Sequence, residues 1–312
     1  QALQFNVNGK DELRLLDVAA GFKPRPLPGL PAGSIGSMAF RPGADELAFT
    51  VNSAQGPSQV FTVDVASGQV AQWTRAHAPP GVDMAQFTDQ RIVTWPSFDG
   101  RTISGLMNMP PPRFTGKRPV LIDIHGGPEA QAKVGFMGRY NYLIQEMGLA
   151  VIQPNVRGST GFDKGFTDLD NGFQREDAVK DIGALLDWIA RQADLDASRV
   201  VVAGGSYGGY MSLAVSVHYG DRIAGAIDDV GISHFVTFLN NTESYRRDLR
   251  RVEYGDERDP AMRAFLDRIS PLTNAHRIRK QLFVGQGKND PRVPYTEAEQ
   301  IVERVRANGP PV

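Results

Sequence analysis

A serine bracketed by glycines at a strand-to-helix junction is the strongest chemical signal in this 312-residue chain. Residues 204–210 read GGSYGGY, directly after the strand-like RVVVA and directly before the helical run MSLAVSVHY. A hydroxyl displayed on such a tight turn stands clear of its neighbours. The residues two positions away must then be small, so that strand and helix can approach. Gly204 and Gly208 meet that demand around Ser206. The helix N-terminus behind the serine adds unpaired N–H groups and partial positive charge where negative charge would develop. Ser206 is therefore the expected nucleophile of an acyl transfer. The competing readings are a glycine-rich turn with an incidental serine, or a phosphate-cradling loop. The second would need GK[ST] or GxGxxG in frame, and neither occurs.

Two further segments carry complementary chemistry. In IDIHGGPEAQ, residues 122–131, a strand ends in a His-Gly-Gly-Pro turn. Serine hydrolases of this type take one oxyanion N–H from the residue after the nucleophile and another from such a turn. Here these would be Tyr207 and Gly127, with glycine letting the backbone reach the substrate oxygen unobstructed. His125 is then a support that orients the loop; its alternative use as general base is disfavoured by its upstream position. In QLFVGQGKNDPRVP, residues 281–294, a buried strand ends in a polar Gly- and Pro-rich loop. A triad carboxylate follows the serine and a later strand, so Asp290 is the expected acid, holding an imidazole in the right tautomer. Taken alone, an Asp before Pro291 is more commonly an Asx turn. Asp228, Asp229 and Asp256 are the next acids to test.

The elements that must position these residues come in two rhythms. From Leu13 to Trp73 the chain reads as short strands, LRLLDV, SMAFRP, ELAFTV, QVFTVDV and QVAQWT, parted by turn residues. This order is that of one four-stranded propeller blade with part of another before it. From Val93 onward strands alternate with helices: PVLIDIH, LAVIQPNV, RVVVAGG, AGAIDDVG and QLFVGQG against FMGRYNYLIQEMG, EDAVKDIGALLDWIARQ and TEAEQIVERVRA. Such alternation predicts a doubly wound, mostly parallel sheet with helices on both faces, the α/β class. The expected division is residues 1–82 as a propeller remnant of about two blades and 83–312 as the catalytic domain.

Composition sets the outer bounds. A hydrophobic fraction of 41% with 22% charged residues can bury a sizeable core. A net charge of −1 supplies no field for nucleic acid or an anionic membrane, and no stretch approaches the length of a membrane span. The one basic run, Arg246 to Arg251, mixes in Asp248 and reads as a solvated helix face. There is no cysteine, which removes thiol chemistry but does not choose between cytoplasm and periplasm. Scattered histidines and the lack of HExxH leave no metal site, and no cofactor is expected.

GGSYGGY, IHGGP, NVRGSTGFD and GKNDPRVP, in this order behind a propeller-like piece, resemble the prolyl oligopeptidase family of serine peptidases, particularly its acylaminoacyl-peptidase and dipeptidyl-peptidase-like bacterial branch. The likeness covers the whole chain. It implies an α/β-hydrolase fold with Ser206 as nucleophile, Asp290 as acid, Tyr207 and Gly127 as oxyanion donors, and a propeller that admits only short peptides. It also implies a departure. The family's histidine follows the Asp in a Gly-His turn, whereas all five histidines here, His77, His125, His218, His234 and His276, precede Asp290. The resemblance thus implies a chain that is a fragment at both ends, lacking its last strand and helix and inactive as it stands. His234 is the only substitute base to consider.

Three functions are open to such a chain. The first is a serine peptidase hydrolysing short peptides through an acyl-enzyme; the second, within the same chemistry, is a carboxylesterase; the third is a catalytically incomplete, non-catalytic homologue. Short peptides are the expected partners, with homo-oligomerisation left open. Phe136, Tyr140, Phe235 and Phe238 are candidates for a substrate side-chain pocket, though such spacing more often marks core. Arg246 or Arg247 is the candidate to hold a substrate carbonyl, with a surface salt bridge as the commoner use.

Overall fold

The computed structural model describes residues 1–25, 27 and 29–312. Three sheets organise them. β1 (Ala2–Val7), β2 (Lys10–Asp17) and β3 (Lys23–Arg25) form an antiparallel three-stranded sheet. β4 (Gly33–Phe40), β5 (Glu46–Ser53), β6 (Gly56–Asp64) and β7 (Val70–Gln72) form a four-stranded antiparallel meander, the form of a single propeller blade. Alternate residues of β5, Leu47, Phe49 and Val51, point inward and pack with Phe61, Val63, Leu13 and Leu15 into one small core. β1 and β3 fall outside the strands expected from sequence: β3 is three exposed residues, and β1, although Leu3, Phe5 and Val7 alternate with Gln4 and Asn6, leaves most of its residues exposed.

The third sheet has seven strands in the order β14-β13-β12-β10-β11-β9-β8. β8 (Arg91–Pro96) and β9 (Thr102–Asn108) are an antiparallel hairpin, and β9 pairs antiparallel with β11 (Ala150–Asn155). β10 (Arg118–Ile124), β11, β12 (Leu195–Gly205), β13 (Gly225–Asp229) and β14 (Gln281–Gly285) run parallel. The pleat divides the apolar runs between two faces. Val120, Ile122, Ile152, Val200 and Val202 join the main core with α3 (Asp177–Ala190), α4 (Tyr207–His218) and α8 (Tyr295–Arg306). Leu121, Val151 and Ala203 face the other way, onto α1 (Tyr140–Gln145). The short α2 (Lys164–Thr167) precedes α3, while α5 (Phe235–Asn241), α6 (Ser244–Tyr254) and α7 (Pro260–Ile269) fill the β13–β14 connection.

This order determines where chemistry can happen. The chain goes from β10 outward to β11, then returns to place β12 on β10's other side, so the C-terminal ends of β10 and β12 flank the point where strand order reverses. Ile124 pairs with Gly204 across that junction. The loop after β10 and the turn after β12 are therefore neighbours by topology. The architecture is an α/β-hydrolase fold preceded by an incomplete β-propeller piece.

Candidate active site

Ser206 sits between β12 and α4 with φ 58° and ψ −115°, a left-handed backbone that few non-glycine residues adopt. Its N–H donates to Asp229 O at 2.9 Å and its carbonyl accepts from Tyr210 N at 3.1 Å, so the turn is tied to β13 on one side and to the helix on the other. The flanking glycines are sterically required. A Cβ on Gly204 would lie 2.4 Å from the Gly208 carbonyl, and one on Gly208 would lie 2.0 Å from Ile124 O. A Cβ on Gly126 would stand 3.5 Å from the Ser206 Cβ, which puts the His-Gly-Gly turn against the serine.

That turn is held from both sides. His125 Nδ1 lies 2.7 Å from Gly126 O, and its Nε2 lies 2.9 Å from Ser159 Oγ. Burial lowers the His125 pKa, against the raising effects of the Gly126 bond and of Asp123. A carbonyl can only accept, so Nδ1 carries a proton and donates to Gly126 O, while Nε2 lies against the Ser159 hydroxyl, which itself donates to Val156 O at 2.6 Å. Gly126 C=O and Gly127 N–H belong to one peptide plane, so the Nδ1 bond fixes the direction of the expected oxyanion donor. The next carbonyl, Gly127 O, accepts from Arg250 Nη1 at 3.0 Å and from Tyr254 OH at 3.1 Å. A general-base role for His125 is incompatible with both ring nitrogens being occupied in this way.

Ser206 and Asp290 line one open recess of about 670 Å³, together with Val230, Lys288, Asn289, Arg292 and Val293. Asp290 Oδ1 accepts from Arg292 N at 2.8 Å and Val293 N at 3.1 Å, so the carboxylate forms the Asx turn expected of Asp-Pro while still facing the serine's recess. Glu297, in the first turn of α8 and fully buried, braces the neighbouring loop. It accepts from Ser233 N and Oγ, His234 N and Thr237 Oγ1, joining the β13–α5 loop to α8.

Among the described residues, no histidine lines this recess. His234, the substitute base considered from sequence, caps α5: its Nδ1 faces Thr237 N at 3.4 Å and its Nε2 faces Asp267 at 3.3 Å. It is a helix cap rather than a base. The aromatic candidates also divide. Phe235 and Phe238 are core, packed on Tyr210 and Tyr254, whereas Phe136 packs on Phe87 in a separate cavity and Tyr140 donates to Asp123. Arg247 donates to Asn240 O and Thr242 O at the end of α5. Arg250, one helical turn beyond Arg246, is the arginine that reaches the Gly127 loop.

Sequence reasoning also passed over a fully buried ion pair behind the serine, Asp170 with Arg175. Arg175 Nη2 donates to Glu253 O at 2.6 Å, and Tyr207 OH donates to Asp170 Oδ2 at 3.1 Å. Burial works against the Arg175 charge, yet the Asp170 carboxylate beside it holds the guanidinium above its ordinary value. Nothing local in the sequence announces this pair; charged residues near helix starts are ordinarily solvated.

The chain matches the family model described as "Prolyl oligopeptidase family" over residues 135–312, more than half its length. It is 32% identical over 271 residues to dipeptidyl aminopeptidase BIII of Pseudoxanthomonas mexicana, covering 84% of this chain and 39% of that protein. Dipeptidyl peptidase family member 6 of Caenorhabditis elegans is 34% identical over 197 residues, 62% of this chain and 26% of that one. Among solved structures, a puromycin hydrolase superposes with a TM-score of 0.83 at 24% identity, covering 97% of this chain and 46% of the other. Pyrococcus horikoshii acylaminoacyl peptidase gives 0.82 at 20%, covering 100% and 48%. The chain thus spans less than half the length of each of these relatives. With its serine turn, its parallel sheet and its N-terminal blade, the chain belongs to the prolyl oligopeptidase family.

Proposed function

We propose that this chain carries the nucleophile, acid and oxyanion donors of a serine peptidase that cleaves short peptides through an acyl-enzyme. Residues 1–82 are the propeller-derived part in this reading and 83–312 the catalytic part. Ser206 Oγ attacks the scissile carbonyl, and Tyr207 N–H and Gly127 N–H receive the charge that forms on its oxygen. Asp290 orients the imidazole that takes the serine proton and returns it to the leaving amine. The observation that carries the reading is the joint placement of a strained Ser206 and Asp290 on one recess, with the Gly126 backbone against the serine. That relatives matching most of this chain are named as peptidases favours amide over ester substrates.

The imidazole itself comes, in this proposal, from outside these 312 residues, because all five histidines are absent from the recess. A serine hydroxyl without an adjacent base is a weak nucleophile, leaving oxyanion stabilisation and binding to give roughly a thousandfold over water. The 312 residues alone should therefore hydrolyse a chromogenic aminoacyl ester or amide very slowly. Free imidazole, diffusing into the open recess, should raise ester turnover at least tenfold in a manner lost in Ser206→Ala. The imidazole-dependent part should fall about tenfold in Asp290→Ala, which removes the orienting carboxylate. Brisk turnover without imidazole would overturn the assignment of the missing base. An imidazole effect indifferent to Asp290 would move the acid elsewhere.

A further inference from the structure

The two proposed oxyanion donors lie on different loops, yet the groups behind them form one buried polar assembly. Tyr207 N–H belongs to a residue whose hydroxyl donates to Asp170, and Asp170 is paired with Arg175. Arg175 reaches Glu253 O in α6, and its guanidinium carbon lies 5.4 Å from the Tyr207 ring centre and 4.8 Å from that of Tyr254. The Tyr207 and Tyr254 rings stack with centres 6.4 Å apart. From the same end of α6, Tyr254 OH and Arg250 Nη1 both donate to Gly127 O, and Arg250 is paired with the Glu253 carboxylate. Starting at the Tyr207 hydroxyl and ending at the Gly127 carbonyl, each step is a hydrogen bond, an ion pair or a ring contact. Asp170, Arg175 and Tyr207 are fully buried, and Tyr254 is 1% exposed.

We propose that Asp170, Arg175, Arg250 and Tyr254 are positioning residues that set the two oxyanion donors relative to each other, so that the C-terminal end of α6 couples Tyr207 to Gly127. This rests on the peptidase reading for its catalytic consequence, but the coupling itself is a property of the fold. Energetics give the assembly a task beyond stability. A buried ion pair is seldom more stabilising than well-packed apolar residues of the same size, because the desolvation cost offsets most of the attraction. What an ion pair with fixed hydrogen bonds does supply is direction. Oxyanion donors need it, since displacement by about 1 Å costs on the order of a hundredfold in rate. Gly127 is fixed on both sides: His125 holds the peptide plane bearing its N–H, and α6 holds the next plane along the chain.

The test uses hydroxyl deletions that conserve ring packing. Tyr207→Phe cuts the bond to Asp170 and leaves the backbone donor in place; Tyr254→Phe removes one of two donors to Gly127 O. Two readouts are taken on the 312-residue chain. In imidazole-supported ester turnover, each single variant should lower kcat about tenfold with KM held within twofold, and the double variant should be no worse than about twentyfold. Independent groups would give about a hundredfold for the double, and that result would overturn the coupling. In amide NMR, Tyr207→Phe should move the Gly127 resonance and Tyr254→Phe that of Tyr207. Unmoved resonances would also overturn it. Should Tyr254→Phe fail to fold, Arg250→Gln, which removes the other donor to Gly127 O, replaces it in both measurements. Lack of any Ser206-dependent turnover in the parent chain would defeat the peptidase reading alone, leaving the resonances to decide the coupling.

Discussion

Ser206 occupies a backbone conformation that costs about 1–3 kcal/mol for a non-glycine residue, and its neighbours over-determine it. Directly beneath the turn, one residue before the carbonyl that accepts Ser206 N–H, lies Asp228, which is 1% exposed and has no good hydrogen-bond partner on either carboxyl oxygen. Burial pushes its carboxyl up to about 7, against a partial stabilisation of charge by the Gly231 N–H; Asp229 and Glu297 push it the same way as burial. Linkage gives the sign. The folded chain holds this proton up to about pH 7, whereas the unfolded chain releases it near the ordinary value of 3.8, so the contribution is complete below about pH 4 and is lost as pH rises through 7. Urea midpoints should therefore fall between pH 4.5 and pH 7.5, and Asp228→Asn should flatten that slope. An equal slope in both proteins would contradict the account. Asp228 was visible in the sequence only as an alternative acid, because burial without a partner is a tertiary property.

At the scale of elements, the turn after β12 and the loop after β10 are held together by close backbone contact. Gly208→Ala would place a methyl 2.0 Å from Ile124 O, which no rotamer change can relieve. It should cost about 3 kcal/mol or more in urea unfolding, whereas Gly287→Ala, with open space around its Cβ position, should be near neutral. Comparable losses for both would show that the glycines are not serving close approach. These local demands are why the serine turn, the His-Gly-Gly loop and the parallel strands were legible: each is written within about ten consecutive residues by glycine placement and apolar runs. α6 was not. SYRRDLRRVEY reads as a solvated face, yet the Arg250 and Arg251 side chains are only 15% and 14% exposed because Glu253 and Glu257 fold back onto them. Arg175 meets Glu253 across 78 residues of sequence, a pairing no local pattern encodes.

At the scale of the whole molecule, the segment just after the His-Gly-Gly-Pro turn is also the seam with the N-terminal sheets. Lys133 Nζ pairs with the Asp11 carboxylate at 2.8 Å, Val134 N donates to Gly9 O at 2.7 Å, Ser34 Oγ donates to Val134 O at 2.6 Å, and Phe136 N donates to Asn52 Oδ1 at 2.8 Å. The Asp11 side chain is fully buried and also accepts from Ile35 N and Gln4 Nε2. Asp11→Ala should leave those donors unpaired, cost about 3 kcal/mol, and raise the rate of proteolytic nicking between the N-terminal sheets and β8. An unchanged cleavage pattern would show that the seam does not hold the two parts together. The propeller character of the first part was readable from strand rhythm, but this seam was not, since its polar partners lie more than 80 residues apart. Whether Ser206 is the nucleophile is decided by treating the 312-residue chain with a fluorophosphonate and mapping the adduct by peptide mass spectrometry. One adduct is expected, on Ser206, formed faster with added imidazole and absent in Ser206→Ala; an adduct on another residue, or labelling that survives the substitution, would show that Ser206 is not the nucleophile.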